Sequence, residues 1–230
     1  MPAIAAARRR RSPTRELILD QAERLIAVKG VFGFTLSDVA KPLGVRVPAI
    51  YKHYTSRDDM LVEVARRFVT LLAAQFAPDR PLQPGPALRH ALDEFVTFMM
   101  SHPAYVRLAL VDLATPGGGM EYVTRAAGGS FEENFSGGPL AAMYARLRNL
   151  LRAGSRSKDF RAVDATSFYR LVYASLLSSL VFPNDTPLIH APTPLRQKVV
   201  QRALWDVATA YLAPRPTGRY RPESKGDCRR

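Results

Sequence analysis

Apolar residues recur along this chain at steps of three and four, the period of an amphipathic α-helix. Ile18, Ala22, Leu25 and Ile26 fall on one face, with Ser12 as N-cap, Pro13 at the first helical position and Gly30 as the stop. Phe32 and Phe34 follow as expected plugs for a small core. Thr35 opens a second helix, with Asp38 three residues on in a capping-box pattern. Its apolar positions are Leu36, Val39, Ala40 and Leu43, and Gly44 ends it. Val45 is expected to pack inward, and VPAIYKHY resumes a helix with Pro48 in its first turn. Ser56 then caps a longer helix, with Asp59 at its third position, running through Leu61, Val64, Ala65, Phe68 and Leu72 to the breaker APDRPLQPGP at 77–86.

Further helices are predicted over about 87–101, 103–115, 120–127, 139–154, 160–182 and 194–213. No stretch alternates with period two for long enough to build a sheet, so the fold class is all-α.

The interruption at LGVRVP, between two short helices, is the most informative feature. Each helix end leaves backbone groups to be satisfied, so a helix that stops and restarts at once marks a specified corner. Ala40 supplies a small residue where two helices touch, Gly44 a corner tolerant of positive φ, and Ile50 an inward aliphatic, with Val45 packed beside them. That is the pattern of a helix-turn-helix.

The wider run, a helix ending in Gly30, then FGFTLSDVA, LGVRVPAIYKHY and SRDDMLVEVA, resembles the DNA-binding domain of the TetR family of bacterial transcriptional regulators. The likeness covers residues 14 to about 65. The rest resembles the family in being all-helical and of the right length, with FMMSHPAYVRLAL at 98–110 a weaker further likeness. The resemblance implies an N-terminal three-helix helix-turn-helix DNA-binding domain over 14–60 and a larger C-terminal helical effector-binding and dimerisation domain over 61–213. Outside these, 1–13 read as a flexible basic arm and 214–230 as a disordered basic tail. Two positions depart from the family pattern. Arg46 stands where a small polar residue often caps the recognition helix, which weakens the cap and frees Arg46 for DNA. Pro42 removes a bond to the carbonyl of Asp38, so a distorted last turn is expected.

The resemblance places Val47, Pro48, Ala49, Tyr51, Lys52 and His53 in a major groove. Lys52 suits guanine or phosphate, Val47 and Ala49 shape or a thymine methyl, and Tyr51 and His53 phosphate. Thr35 and Ser37 can hold phosphate at a helix start, and Arg57 can reach one. Tyr54 is open between a core and a DNA role. The resemblance also implies a homodimer paired through the last two long helices, with Phe168, Leu171, Val172, Ser175, Leu176, Ser179, Leu180, Val200, Leu204 and Val207 as interface residues. An effector pocket is expected among the middle helices, lined by some of Phe95, Phe98, Met99, Tyr105, Met120, Tyr122, Phe131, Met143, Tyr144, Leu147 and Tyr169, with Asp112 and Glu121 open between polar anchors and plain surface groups.

Charge sharpens this picture. Residues 1–60 carry 11 basic and 6 acidic groups, 61–213 carry 16 and 12, and 214–230 carry 6 and 2, giving surpluses of +5, +4 and +4. The excess is concentrated at the two ends, as for a polyanionic partner. The single cysteine, Cys228, excludes a disulfide framework and cysteine-rich zinc sites, and His53, His90, His102 and His190 show no ligand spacing. No metal or cofactor is expected. There is no G-x-S-x-G, phosphate-binding loop or H-E-x-x-H, so an enzyme is not expected. The apolar run at 171–182 is too short to span a bilayer and the N-terminus lacks the order of a secretory signal, which points to the cytoplasm. The function expected is a ligand-responsive transcriptional regulator, first read as a repressor, that binds palindromic operator DNA and is released by a small apolar or amphipathic effector. The alternative is a basic helical membrane-surface or interaction module without sequence-specific DNA binding.

Overall fold

The computed structural model describes residues 14–75, 83–114, 122, 125–126, 137–138, 140–181 and 193–214. Among these residues all regular structure is helical, as nine helices: α1 (Arg15–Lys29), α2 (Leu36–Ala40), α3 (Val47–Tyr51), α4 (Arg57–Gln75), α5 (Pro84–Ser101), α6 (Pro103–Ala114), α7 (Ala141–Arg156), α8 (Ala165–Val181) and α9 (Thr193–Leu212). The expected arm over 1–13, the tail beyond Pro214 and most of the helix predicted at 120–127 lie outside the described residues.

α1 to α3 and the start of α4 enclose a small core of Ile18, Ala22, Ile26, Phe34, Val39, Ile50, Tyr54 and Met60, each at most 3% exposed. Burying each such aliphatic or aromatic side chain contributes about 1.5–3 kcal/mol. The start of α1 is shifted from the expected one. Thr14, not Ser12, is the N-cap, and its hydroxyl accepts from the amide of Leu17 at 3.3 Å. Of the two expected plugs only Phe34 is inside. Val31 and Phe34 fill the space beneath α1, and Phe32, on the other side of the bend, is left 72% exposed.

α4 runs unbroken through residues 60 and 61, where the sequence suggested a domain border, so one helix belongs to both the head and the body. α1 packs on α4 and α6, α5 on α7 and α9, and α8 on α9, α7 and α6. α5 begins three residues before its predicted start, because Pro84 and Pro86 fall in its first turn, where a missing N–H costs nothing. α8 begins at Ala165, not near 160. Between α7 and α8 the chain turns with Lys158 at φ 65, and the amides of Phe160 and Arg161 donate to the carbonyls of Gly154 and Leu212 at 3.1 and 2.9 Å. Those residues are thereby tied to α7 and α9 and are unavailable to a helix. The Phe160 ring sits where a Cβ on Gly154 would stand, 2.0 Å away, so only glycine admits it. Asp164 then caps α8 by accepting from Ser167 N at 2.8 Å, and that bond holds its carboxyl below the usual range.

Candidate nucleic-acid interface

The corner predicted from LGVRVP is built almost wholly by local bonds. The Thr35 hydroxyl accepts from Asp38 N at 3.3 Å, while Asp38 accepts from Thr35 N at 2.8 Å, a reciprocal capping box. Lys29 closes on the same carboxylate at 3.0 Å. The Thr35 amide and hydroxyl and the Lys29 cation bring Asp38 down to about 2. α2 ends at Ala40, ahead of Pro42, which has no N–H to extend the ladder. Gly44 N donates to Lys41 O at 3.1 Å and Val45 N to Ala40 O at 3.2 Å, with Gly44 at φ 65. These paired bonds are a Schellman motif, whose left-handed position favours glycine.

Arg46 opens α3 with no side-chain capping bond, as its type predicts, and Pro48 sits in the first turn. Ile50 is 0% exposed. Tyr54 joins the core at 1% exposure, and its hydroxyl donates to the Arg15 carbonyl at 3.1 Å, so both ends of the corner are held against α1. Burial pushes the Tyr54 hydroxyl above its ordinary value and keeps it a donor. Of the two roles the sequence left open for Tyr54, the structure places it in the core.

Seven predicted contacts fall on or beside α3. Arg46, Pro48, Tyr51 and Lys52 are exposed, and Ala49 and His53 are half-buried. Val47 is partly packed on the head core. From Val39 to Arg57 the sequence has no acidic residue, while the exposed Lys41, Arg46 and Lys52 are basic, so this stretch carries net positive charge. The remaining three predicted contacts sit differently. Ser37 is exposed at the start of α2. Thr35 already spends its hydroxyl on Asp38, donating at 3.0 Å, so it serves as a cap. Arg57 does not reach outward. Its guanidinium lies 4.7 Å from the Phe34 ring centroid and 5.9 Å from that of Phe32, with Nε and Nη2 buried and unbonded.

A second arrangement, absent from the sequence reading, fixes the head to the body. Glu16, Asp20 and Glu23 share one face of α1 at steps of four and three, and Arg67 of α4 meets all three. It reaches Asp20 at 2.7 Å and Glu23 at 3.0 Å, and also pairs with Glu16. Tyr105 of α6 donates to Glu23 at 3.2 Å. Burial raises the Glu23 carboxyl, against the pull of Arg67, and burial together with Glu23 raises the Tyr105 hydroxyl. The acidic stripe on α1 is readable from spacing alone; its partner, 44 residues from Glu23, is not.

Residues 18–64 match the sequence model of the family described as bacterial regulatory proteins, tetR family, a stretch that runs from the α1 core through the corner into α4. Over this stretch the chain is similar to the TetR family. An uncharacterized HTH-type transcriptional regulator, YobS of Bacillus subtilis (strain 168), is 30% identical over 102 residues, 43% of this chain and 52% of the relative, so the match spans about half the relative's length. The ketosteroid transcriptional regulator KstR2 of Mycobacterium tuberculosis superposes with TM-score 0.62 at 20% identity, over 87% of this chain and 95% of that one. The transcriptional regulator FadR of Bacillus subtilis, solved in complex with stearoyl-CoA, gives TM-score 0.62 at 13% identity, over 87% and 100% of the two chains. At these identities the two structures show that this chain shares their fold.

In the helical body, several of the predicted pocket residues pack on one another. Phe98, His102 and Tyr105 stack on one another and on Phe68, with Phe68 and Tyr105 centroids 4.8 Å apart. Phe95, Tyr169 and Tyr173 form a second stack. Met99 and Met143 are buried, Tyr122 and Leu147 are partly buried, and Tyr144 bonds to the hydroxyl of Thr166. Met120, Phe131 and Glu121 lie outside the described residues, and the side chain of Asp112 does as well. A cleft of about 440 Å³, elsewhere in the body, is lined by Gln83, Asp159, Phe160, Trp205, Thr209 and Leu212 among others, and by none of the predicted residues.

The predicted dimer residues fall into two groups by burial within the single chain. Phe168, Val172, Leu176, Val200 and Leu204 are at most 5% exposed within the single chain, where α8 packs on α9, so a partner cannot cover them further. Their helical period is that of the chain's own core. Leu171, Ser175, Ser179, Leu180 and Val207 are half-buried, and the large apolar groups left outward on α9 are Leu195 and Val199, 53% and 39% exposed.

Proposed function

We propose that this chain is a ligand-responsive transcriptional regulator, acting as a repressor, whose homodimer binds a palindromic operator through α3. The observation that carries the reading is the corner itself. Ile50 and Tyr54 hold α3 from behind, the Schellman turn at Gly44 sets its angle, and Arg46, Pro48, Tyr51 and Lys52 stand outward on a stretch without acidic residues. Lys52 and Arg46 would supply base or phosphate contacts, and Tyr51 and His53 phosphate contacts. The head over 14–60 reads the duplex, and the body over 61–213 dimerises and takes the effector. That FadR was solved with stearoyl-CoA supports a ligand-binding role for a body of this fold.

The dimer would form through the outward stripe of α8 and α9 that includes Leu171, Ser175, Leu195, Val199 and Val207, because these are the apolar and small groups the single chain leaves uncovered. Among the described residues no helix is long and apolar enough to cross a membrane. Footprinting on duplexes selected from a genomic pool tests the reading. Two symmetric half-sites with centres roughly 34–36 Å apart, or a multiple of that, are expected; one asymmetric site bound by a monomer would refute it.

A further inference from the structure

α7 carries four arginines and no acidic residue. Arg148, Arg152 and Arg156 lie exposed on its outer face at four-residue steps. Arg146 is different. It lies half-buried on the inward stripe with Met143, Leu147 and Leu150, since residues three and four apart share a helix face. This is the side by which α7 packs into the body.

The surroundings of Arg146 do not satisfy it. Nη2 reaches only the main-chain carbonyl of Ala73, near the end of α4, and at 3.5 Å that bond is weak. Nε is buried and has no hydrogen-bond partner. Among the described residues no carboxylate pairs with it. The other inward arginines have different surroundings. Arg67 has three carboxylates, Arg57 lies on two aromatic rings, and Arg196, whose Nε is also unbonded, donates to Leu180 O at 2.9 Å. A guanidinium never discharges in a protein, so a shielded one without a counter-charge is a standing cost to the fold.

We propose that Arg146 is the anchor for an anionic head group, carboxylate or phosphate, of an amphipathic effector whose apolar part lies along Met143, Leu147 and Leu150. The inference rests on the regulator reading and names the effector's chemistry. Nε and Nη2 form one edge of the guanidinium fork, and a carboxylate or phosphate presents two oxygens matched to it. Binding would draw Nη2 from the Ala73 carbonyl, so the site touches the far end of the helix that carries the head.

The test uses the full chain and matched pairs of probes, decanoate and decyl phosphate against decanol, and naphthoate against naphthalenemethanol, titrated calorimetrically at neutral pH. The anionic member of at least one pair is expected to bind about tenfold or more tightly than its neutral partner, with the preference weakening as salt rises. Arg146→Gln removes the preference, and Arg146→Lys keeps part of it. Without ligand, Arg146→Gln melts at the same temperature as the native chain or higher, because an uncompensated charge has gone. Equal binding of acids and alcohols, no binding of any anion, or an Arg146→Gln protein that melts well below native and still prefers anions would overturn the proposal. Selection of palindromic duplexes by the unmodified protein is scored separately. Anion binding without duplex selection sinks the regulator reading alone, and duplex selection without anion binding sinks the anion site alone.

Discussion

The Tyr54 hydroxyl donates to the Arg15 carbonyl across 3.1 Å, fastening the end of the corner to the first turn of α1. The Arg15 guanidinium, 5.1 Å from the Tyr54 ring centroid, covers the same contact. Tyr54→Phe keeps the ring and is expected to lose ~0.5–1.5 kcal/mol of stability, whereas Tyr54→Ala also leaves a cavity and loses ~3–5 kcal/mol. Denaturant unfolding measures both. A Phe variant as stable as native would show that the bond contributes nothing.

Gly44→Val places a β-branched residue at φ 65, where an L-residue is strained by roughly 1–2 kcal/mol. The Schellman turn sets the angle between α2 and α3, so affinity should fall for every duplex, specific or not. Circular dichroism should show the body's helices retained. Operator binding at native strength would remove Gly44 from any role in docking.

Lys52→Ala distinguishes two kinds of contact through a salt titration. Loss of a phosphate contact lowers the salt slope by about one per half-site and weakens all sequences alike; loss of base readout costs ~1–3 kcal/mol at one base pair and relaxes preference there. If neither slope nor preference changes, Lys52 does not touch DNA.

Asp38 predicts an acid-labile head. Its carboxyl is depressed from 3.8 to about 2 in the folded chain, so its stabilising contribution is present above 3.8 and is lost as pH falls toward 2. Asp38→Asn should flatten that part of the stability curve. Glu23 has the opposite sign: its carboxyl is raised from 4.5 by burial, so ionising it as pH rises costs the folded chain. Unfolding curves of Asp38→Asn and Glu23→Gln across this range should bend in opposite directions relative to native.

Leu195→Asp with Val199→Asp should shift the dimer toward monomer, seen by sedimentation, with little change in helix content. Leu204→Asp should behave otherwise, because that side chain is 1% exposed inside the protomer and a charge there unfolds the body. A double variant that remains dimeric would move the interface elsewhere.

How much could be read beforehand depended on how local each feature is. The Thr35–Asp38 capping box, Gly44 and Ile50 are determined within about one helical turn, and each stands where spacing predicts. The weak cap at Arg46 and the early end of α2 ahead of Pro42 were equally legible. Long-range pairing was not. Period alone cannot say whether the apolar face of α8 meets its own α9 or a second copy; Phe168 and Val172 are buried within the chain itself. Arg57 looked like a surface cation from its place after a cap, and only the Phe34 ring beneath it reveals otherwise.

The unbroken course of α4 ties two scales together. Its 19 residues, rising 1.5 Å each, make a rod about 28 Å long, so a tilt of one degree at the corner corresponds to roughly half an ångström at the opposite tip. No loop or glycine interrupts the rod to absorb such a tilt. A nudge near Ala73 the size of one carbon–carbon bond is therefore delivered to the reading surface as a rotation of a few degrees, and in a twofold assembly both surfaces turn together.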